Sequence, residues 1–400
     1  MSLLPVDEAQ ARLLARAAPL AIEQVSLAEA AGRCLAEPLI AKRDQPWTPL
    51  SAMDGYAVRH ADIPGPWTLI GEIAAGSLPP ETPLAPGTTW RIFTGAPLPA
   101  GADTIVVQED VEADGPVIRM TGDGPSGQGR HVRQRASDFA QGQSLLPAGT
   151  RLGPPQIALA ALAGHGDLPV RARPRVAILS TGDELIAPGT PCPPGRLPAS
   201  NGAMLRAMIE RAGGIVITEQ LVPDDLDTLT AAFVAARDAD IVVTSGCASV
   251  GDHDLVRPAL DAAGGTIDFW KIAMRPGKPL IVGSLGQAQF IGLPGNPVSA
   301  MVTGALFLLP LIRHLAGSSR PLPIPRTVPI DGAMPPTGKR AEFVRATMTD
   351  GVVTPLAFQD SAAMHAAAIA NALIYRPINA EAADYGDFVS VYDWATLGLE

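Results

Sequence analysis

The chain has 400 residues, of which 47% are hydrophobic and 18% charged, and its formal net charge is −10. That is too long for one core, so two to four domains are expected, and an acidic chain without a basic run argues against nucleic acid as a partner. Gly and Pro number 40 each, which implies many turns and short β elements. The apolar stretch Met301–Ile312 contains Pro310 and is too short to span a bilayer. The segment Met1–Gln10 carries Asp7 and Glu8 and shows no signal-peptide pattern. No membrane association and a cytoplasmic location are therefore expected. Cys34, Cys192 and Cys247 are odd in number and far apart, so neither a disulfide framework nor a cysteine zinc site is predicted.

In chain order, Asp7 to Ala17 predicts a helix with Asp7 as cap and Leu13, Leu14 and Ala17 on one face. Ser26 to Gly32 predicts a second, shorter helix closed by glycine. From Pro46 to about Asp138 short β runs alternate with turns: Thr68–Ile73, Thr89–Thr94, Thr104–Val111 and Val117–Met120. A helix is expected over Pro155–Ala163. From Arg175 the pattern alternates: strands Val176–Ser180, Ile215–Thr218, Ile241–Thr244, Phe269–Ala273 and Pro279–Val282; helices from Ser200-Asn201, over Asp227–Ala236, Leu255–Ala263 and Pro297–His314. Alternation of this kind predicts a parallel three-layer α/β/α sheet. Four prolines from Pro321 to Pro329 make a stiff connector. The rest, with Asp350-Gly351 as a hairpin turn, reads as a small β module.

Four loops at strand ends are expected to converge, since open α/β sheets bind ligands at that edge. They are Ser180-Thr181-Gly182-Asp183-Glu184, the run from Thr244 to Asp254, the run from Lys271 to Pro279, and Leu293-Pro294-Gly295-Asn296-Pro297. In the second loop, Gly246 and Gly251 allow backbone N–H groups near an anion, and Asp252 and Asp254 can hold the cation that accompanies a phosphate. The fourth is either a simple turn with proline at the helix start or, beside the others, part of an anion site. Lys271, Arg275 and Lys278 form a basic triplet suited to an oxyanion. Glu184, Asp224, Asp252 and Asp254 form a carboxylate set, of which magnesium needs only one or two; Asp225 and Asp227 read as helix caps. Outside this region, Asp54 in Met53-Asp54-Gly55-Tyr56 and Thr94 before Gly95 are ambiguous turn residues. No Walker loop or nucleophile elbow is present, and the GxGxxG run at 122–127, after the run Val117–Met120, is not followed by a predicted helix.

Taken together, Ser-Ala-Met-Asp-Gly-Tyr-Ala (51–57), Thr-Gly-Ala-Pro-Leu-Pro-Ala-Gly-Ala-Asp (94–103), Ser-Thr-Gly-Asp-Glu-Leu (180–185), Ser-Val-Gly-Asp-His-Asp (249–254), Arg-Pro-Gly-Lys-Pro (275–279) and Leu-Pro-Gly-Asn-Pro-Val-Ser (293–299) resemble the MoeA family of molybdopterin molybdenumtransferases, which includes the E domain of gephyrin. The resemblance implies an elongated, multidomain chain mixing α/β and all-β domains. Residues 1–44 and 139–173 would form a helical linker and dimerisation domain, and 45–138 an inserted β domain. Residues 174–320 would form an adenylyltransferase-like α/β domain, and 321–400 a C-terminal β-barrel.

The resemblance further implies a homodimer whose active site lies between the α/β domain of one subunit and the inserted domain of the other. The expected partners are a molybdopterin adenylyltransferase and downstream molybdoenzyme maturation proteins. The reaction it implies inserts molybdenum from molybdate into adenylylated molybdopterin, with magnesium and release of AMP.

Carried over by motif, Asp54, Thr94, Glu184, Asp224, Asp254 and Lys271 would be catalytic, with Glu184, Asp224 and Asp254 holding the metal. Ser180, Thr181, Gly182, Asp183, Ser245, Gly246, Ser249, Gly251, Asp252, Arg275, Lys278, Pro294, Gly295, Asn296, Pro297, Arg345 and Ser361 would bind the pterin nucleotide. The chain departs from the pattern at Leu50, Ala136, Cys247, Arg275 and Ala366. Two rival readings are a molybdopterin adenylyltransferase and a non-catalytic dimeric pterin-binding scaffold. The Ser-Val-Gly-Asp loop speaks against the first.

Overall fold

The computed structural model describes residues 3–246 and 255–400. At its centre is a six-stranded sheet built from β1 (Arg175–Thr181), β2 (Ile215–Val222), β3 (Ile241–Ser245), β4 (Gly265–Lys271), β5 (Pro279–Leu285) and β6 (Ala288–Leu293). The helices α1 (Ser200–Arg211), α2 (Leu226–Ala236), α3 (Val256–Ala262) and α4 (Pro297–Leu315) cover it. The strand order is β2-β1-β3-β6-β5-β4, with the first four parallel.

The sheet is mixed rather than parallel, because β5 runs antiparallel to both β6 and β4. The cause is covalent: Gly286 and Gln287 alone join β5 to β6, and a parallel crossover needs a dozen residues or more. Two reversals restore the original direction, so β4 again ends at the edge where β1, β3 and β6 end. Lys271 there lies opposite Pro279, the first residue of β5.

Both faces are apolar. One carries Phe233, Leu260 and Phe290, whose rings meet edge to face at 5.4 Å for Phe233 and Phe290. The other carries Leu205, Ile209 and nearly all of α4. By length and composition α4 could cross a membrane, but its most apolar 18-residue window is 89% buried in this core. Its middle, Gly304–Leu308, is π-helical. Pro310 has no N–H to give Leu306, four residues back. The Gln10 side chain donates to the Leu306 carbonyl instead, at 2.8 Å.

Gln10 belongs to the N-terminal helix Val6–Ala15. Pro5 precedes it without a side-chain cap, so Asp7 sits in the first turn rather than at the cap. Ala9 and Leu13 bury against the α4 core, which joins this helix to the α/β unit instead of to residues 139–173. The stretch Ser26–Gly32 is turns, not a helix. Ser26 Oγ donates to Glu29 at 2.8 Å within one such turn, and so short a helix cannot recover its nucleation cost. Ile22–Ser26 pairs with Asp167–Arg171, and Leu39–Ile40 with Ser144–Leu146, so this region is largely β around the one helix Pro154–Leu162.

The inserted segment folds as a second six-stranded sheet, with Thr104–Val107, Gly55–Val58, Thr88–Ile92, Trp67–Ile73, Val117–Met120 and Val111–Asp114 side by side. A Cβ on Gly55 would fall 2.1 Å from the Val106 carbonyl oxygen, so the strand after Asp54 requires glycine there.

The C-terminal residues form a third sheet from Arg326–Pro329, Ala341–Thr349, Val352–Pro355, Ala372–Arg376 and Phe388–Asp393. It closes into a barrel through a bridge between Ile330 and Val353. Asp350 and Gly351, with φ of 50° and 78°, make its tight hairpin. Met274–Arg275, in the loop after β4, joins this sheet beside Ala341–Glu342. The barrel thus holds the basic loop of the α/β unit.

Candidate functional site

A cleft of about 1310 Å³ opens at the carboxyl edge of the central sheet, with the barrel as its far wall. The ends of β1, β3 and β6 supply its floor. Gly246 (φ +128°) lies so close to β1 that a Cβ would come within 1.9 Å of the Thr181 carbonyl oxygen. Only glycine allows that approach in that conformation. On the other side, Gly295 packs against the Gly246 backbone. Asn201, in the first turn of α1, ties two of the loops together. Its Nδ2 donates to Ser245 Oγ at 2.7 Å and to the Gly295 carbonyl at 2.8 Å. Ser180 Oγ and Asn201 Oδ1 face this floor buried and without a partner among the described residues. Buried polar atoms are rarely left so, which marks them as ligand or water contacts.

Charge is mixed. Glu184 lines the cleft and folds back over Gly182. Arg275 and Lys278 line it from the basic loop, and Arg340 from the barrel. Arg275 Nη1 is 3.7 Å from Glu342 and 63% exposed, a contact worth at most a fraction of a kcal/mol in water, so the guanidinium is available to a ligand. The α4 N-terminus opens into the same space, with Pro297 at its first position. Asn296 Nδ2 donates to Ser361 Oγ at 2.9 Å, and the Val298 N–H donates to the Ser361 carbonyl at 3.1 Å.

Of the residues singled out from sequence, Ser180, Thr181, Glu184, Ser245, Gly246, Arg275, Lys278, Pro294, Gly295, Asn296, Pro297 and Ser361 line this one cleft. Others do not. Asp183 and Asp224 bind each other across the β1 and β2 loops: each backbone N–H donates to the other carboxylate, at 3.3 and 3.1 Å. Asp224 is exposed and does not line the cleft. Gly182 touches the cleft only through Glu184. Lys271 Nζ rests 3.8 Å from the centre of the Trp270 ring instead of lining the cleft. Its register position was legible, but the neighbouring indole captures the ammonium. Ser249, Gly251, Asp252 and Asp254, with Cys247, lie outside the described residues.

Arg345 is a structural arginine. It is 2% exposed, and its guanidinium donates to the Phe358 and Ala363 carbonyls at 3.2 and 3.1 Å. Gln359 closes the loop by donating to the Arg345 carbonyl at 2.9 Å. Arg345 therefore shapes the 358–363 segment that carries Ser361 and does not line the cleft. Asp54 and Thr94 meet in the inserted domain, away from this cleft. Asp54 Oδ1 accepts from the Thr94 N–H at 2.7 Å and from its hydroxyl at 2.8 Å. The backbone N–H chiefly, then the hydroxyl, holds the Asp54 carboxyl below the usual carboxylate range.

Sequence reading missed Asn201, taken as part of a helix cap; the cap position is Ala199. It also missed Arg340, whose only signal was the basic pair Lys339-Arg340 before a strand. Among the described residues no group of three or more His, Cys, Asp or Glu side chains could hold a metal.

Comparison with known proteins matches this architecture piece by piece. Residues 4–164 match the MoeA N-terminal region (domain I and II), 177–314 a probable molybdopterin binding domain, and 327–394 the MoeA C-terminal region (domain IV). A molybdopterin molybdenumtransferase of Nostoc sp. is 40% identical over 310 residues, covering 74% of this chain and 70% of that one. Molybdopterin molybdenumtransferase 2 of Mycobacterium tuberculosis is 36% identical over 387 residues, covering 92% and 94%. The crystal structure of the molybdopterin biosynthesis MoeA protein from Pyrococcus horikoshii superposes with a TM-score of 0.82 at 29% identity, over 98% of this chain and 99% of that one. With the three family regions matched in order and a relative 36% identical over 94% of its length, the chain belongs to the MoeA family of molybdopterin molybdenumtransferases.

Proposed function

We propose that this cleft takes molybdopterin carrying an adenylyl group together with molybdate, places molybdenum on the dithiolene sulfurs and releases AMP. One observation carries the reading: glycine-tightened loops and a helix N-terminus share a single cleft with Glu184 on one side and Arg275, Lys278 and Arg340 on the other. The α4 N-terminus and Lys278 suit phosphate oxygens, which favour N–H groups and compact cations. Arg275 and Arg340, on the barrel side, suit the tetrahedral oxyanion. Ser180 Oγ and Asn201 Oδ1 offer buried polar atoms for the pterin or ribose.

Magnesium, when bound, would neutralise the pyrophosphate. Of the described cleft carboxylates, Glu184, Glu342 and Asp360, Glu184 follows the end of β1 and is the one proposed to hold it, which suits an ion that takes one or two carboxylates and fills its shell with phosphate and water oxygens. Asp254 is the second ligand expected from sequence. Glu184 also orients the water or molybdate oxygen that attacks the phosphorus, and no protein nucleophile is needed.

The Asp54–Thr94 corner supports a shared site. It is held ionised, flanked by the exposed Met53, and lines no part of its own chain's cleft. In a homodimer it would complete the cleft of the partner subunit. The decisive assay supplies purified adenylylated molybdopterin, molybdate and magnesium and follows AMP and active cofactor. Release of AMP by the Glu184→Ala variant at the native rate would overturn the reading. For the shared site, mixing Asp54→Ala and Glu184→Ala subunits regenerates part of the activity. If the mixture stays inactive after verified subunit exchange, each subunit works alone.

A further inference from the structure

A second cavity, of about 1130 Å³, lies behind the α/β unit, where the turn at 147–151, the chain leaving α4 and the C-terminal residues meet. Seven arginines line it and one side-chain carboxylate, that of Glu400, in a chain whose net charge is −10. Four of the guanidinium groups are structural. Arg171 donates to the Leu20 carbonyl, Arg173 to Gly213 and Gly214, and Arg313 to Leu397, at 2.7 to 3.0 Å. Arg33 donates to the Arg171 carbonyl at 2.6 Å and pairs with Glu23. These bonds fix where the charges stand; Glu23 offsets Arg33, but backbone carbonyls do not neutralise the other three.

The other three, Arg151, Arg211 and Arg320, have no hydrogen bond or ion pair to a described residue. The like charges also act on one another. Burial first, and then Arg151, lowers the proton affinity of Arg313. So dense a set of one sign, with Arg33, Arg171 and Arg313 partly buried and the other four exposed, carries a repulsion that a bound anion would relieve.

We propose that this cavity binds a linear oligophosphate, pyrophosphate or longer, through its phosphate oxygens. Fixed guanidinium forks match phosphate oxygens in pairs, and several charges in one cavity match an anion with several. The lining contains no Phe, Tyr, Trp or His, so nothing there stacks on a base. The largest apolar members, Leu322, Pro323 and Ile324, are consecutive in the chain after Arg320. The anion would bridge Arg320 in the connector after α4, Arg151 in the 147–151 turn and Arg211 at the end of α1, and so join three parts of the chain.

Calorimetry with inorganic triphosphate on the full chain tests this. The expected result is a site separate from any phosphate binding in the cleft, weakened by salt, and bound no less tightly by triphosphate than by ATP. R151Q/R211Q/R320Q should weaken it at least about tenfold, the scale of one lost charge-assisted hydrogen bond. R275Q/K278Q, in the cleft, should leave it unchanged. Should the triple variant not fold, R320Q alone is read by the same titration. Three outcomes overturn the proposal: no binding at low ionic strength, binding abolished by the cleft variant and not by the cavity variant, or tighter binding of oligo-glutamate than of triphosphate.

Discussion

The two cavities use arginine in opposite ways. In the cleft the cations face carboxylates, and buried hydroxyl and amide oxygens stand unpartnered among glycine loops. In the rear cavity nearly all charge has one sign, and four guanidinium groups are held in place by backbone carbonyls. A site for chemistry needs both signs, because a pyrophosphate must be gripped by cations while a carboxylate handles its metal and the attacking oxygen. A site of one sign can hold an anion but has no acid or base to work on it. Function at the first should therefore depend on a few particular atoms, and function at the second on summed charge.

The sharpest break of this contrast is Glu184→Gln. It keeps the side chain's shape and removes its charge, so AMP release should fall at least about a hundredfold, near 2.7 kcal/mol in the barrier, while the melting curve hardly moves. An unchanged rate would place the chemistry elsewhere. Gly246→Ala comes next and should act on both fold and activity. Its Cβ would overlap the Thr181 carbonyl, so the β1 and β3 loops must part, at a cost of about 2–4 kcal/mol by denaturant titration.

Arg345→Met tests whether the far wall is structural. Losing the guanidinium leaves the Phe358 and Ala363 carbonyls without their donors, and about 3 kcal/mol of barrel stability should go with it. A melt like the native one with impaired nucleotide binding would return Arg345 to ligand contact. The smallest effect is expected at Thr94→Val. Because the Asp54 carboxyl is held below its ordinary value, the tie stabilises the fold at neutral pH and is lost as pH falls through that lowered value. Removing the hydroxyl raises the Asp54 value part of the way back, so acid loss should begin at higher pH. NMR titration of the Asp54 carboxyl reads this directly.

The chain's periodicities located most helices and strands to within a few residues. Val117–Met120 and the Asp350-Gly351 hairpin were legible outright, since β-branched runs and Asp-Gly pairs have few alternatives. The same local signals misread Ser26–Gly32, where long-range pairing of Ile22–Ser26 with Asp167–Arg171 outweighed a weak helix. They missed the antiparallel turn at Gly286. They also read Asn201 as part of a helix cap when it is a bridge between two loops.

By itself, then, the sequence determined which loops would meet at one edge of the sheet, because glycine, proline and charge at a strand end are constrained within a few residues. Tertiary structure alone decided which charges are free. Glu184 and Lys278 were left to the cleft, Asp224 went to Asp183, Lys271 to Trp270 and Arg345 to the carbonyls of its own barrel. A charged side chain settles on the nearest partner that satisfies it, and that partner is set by neighbours in space rather than by neighbours along the chain.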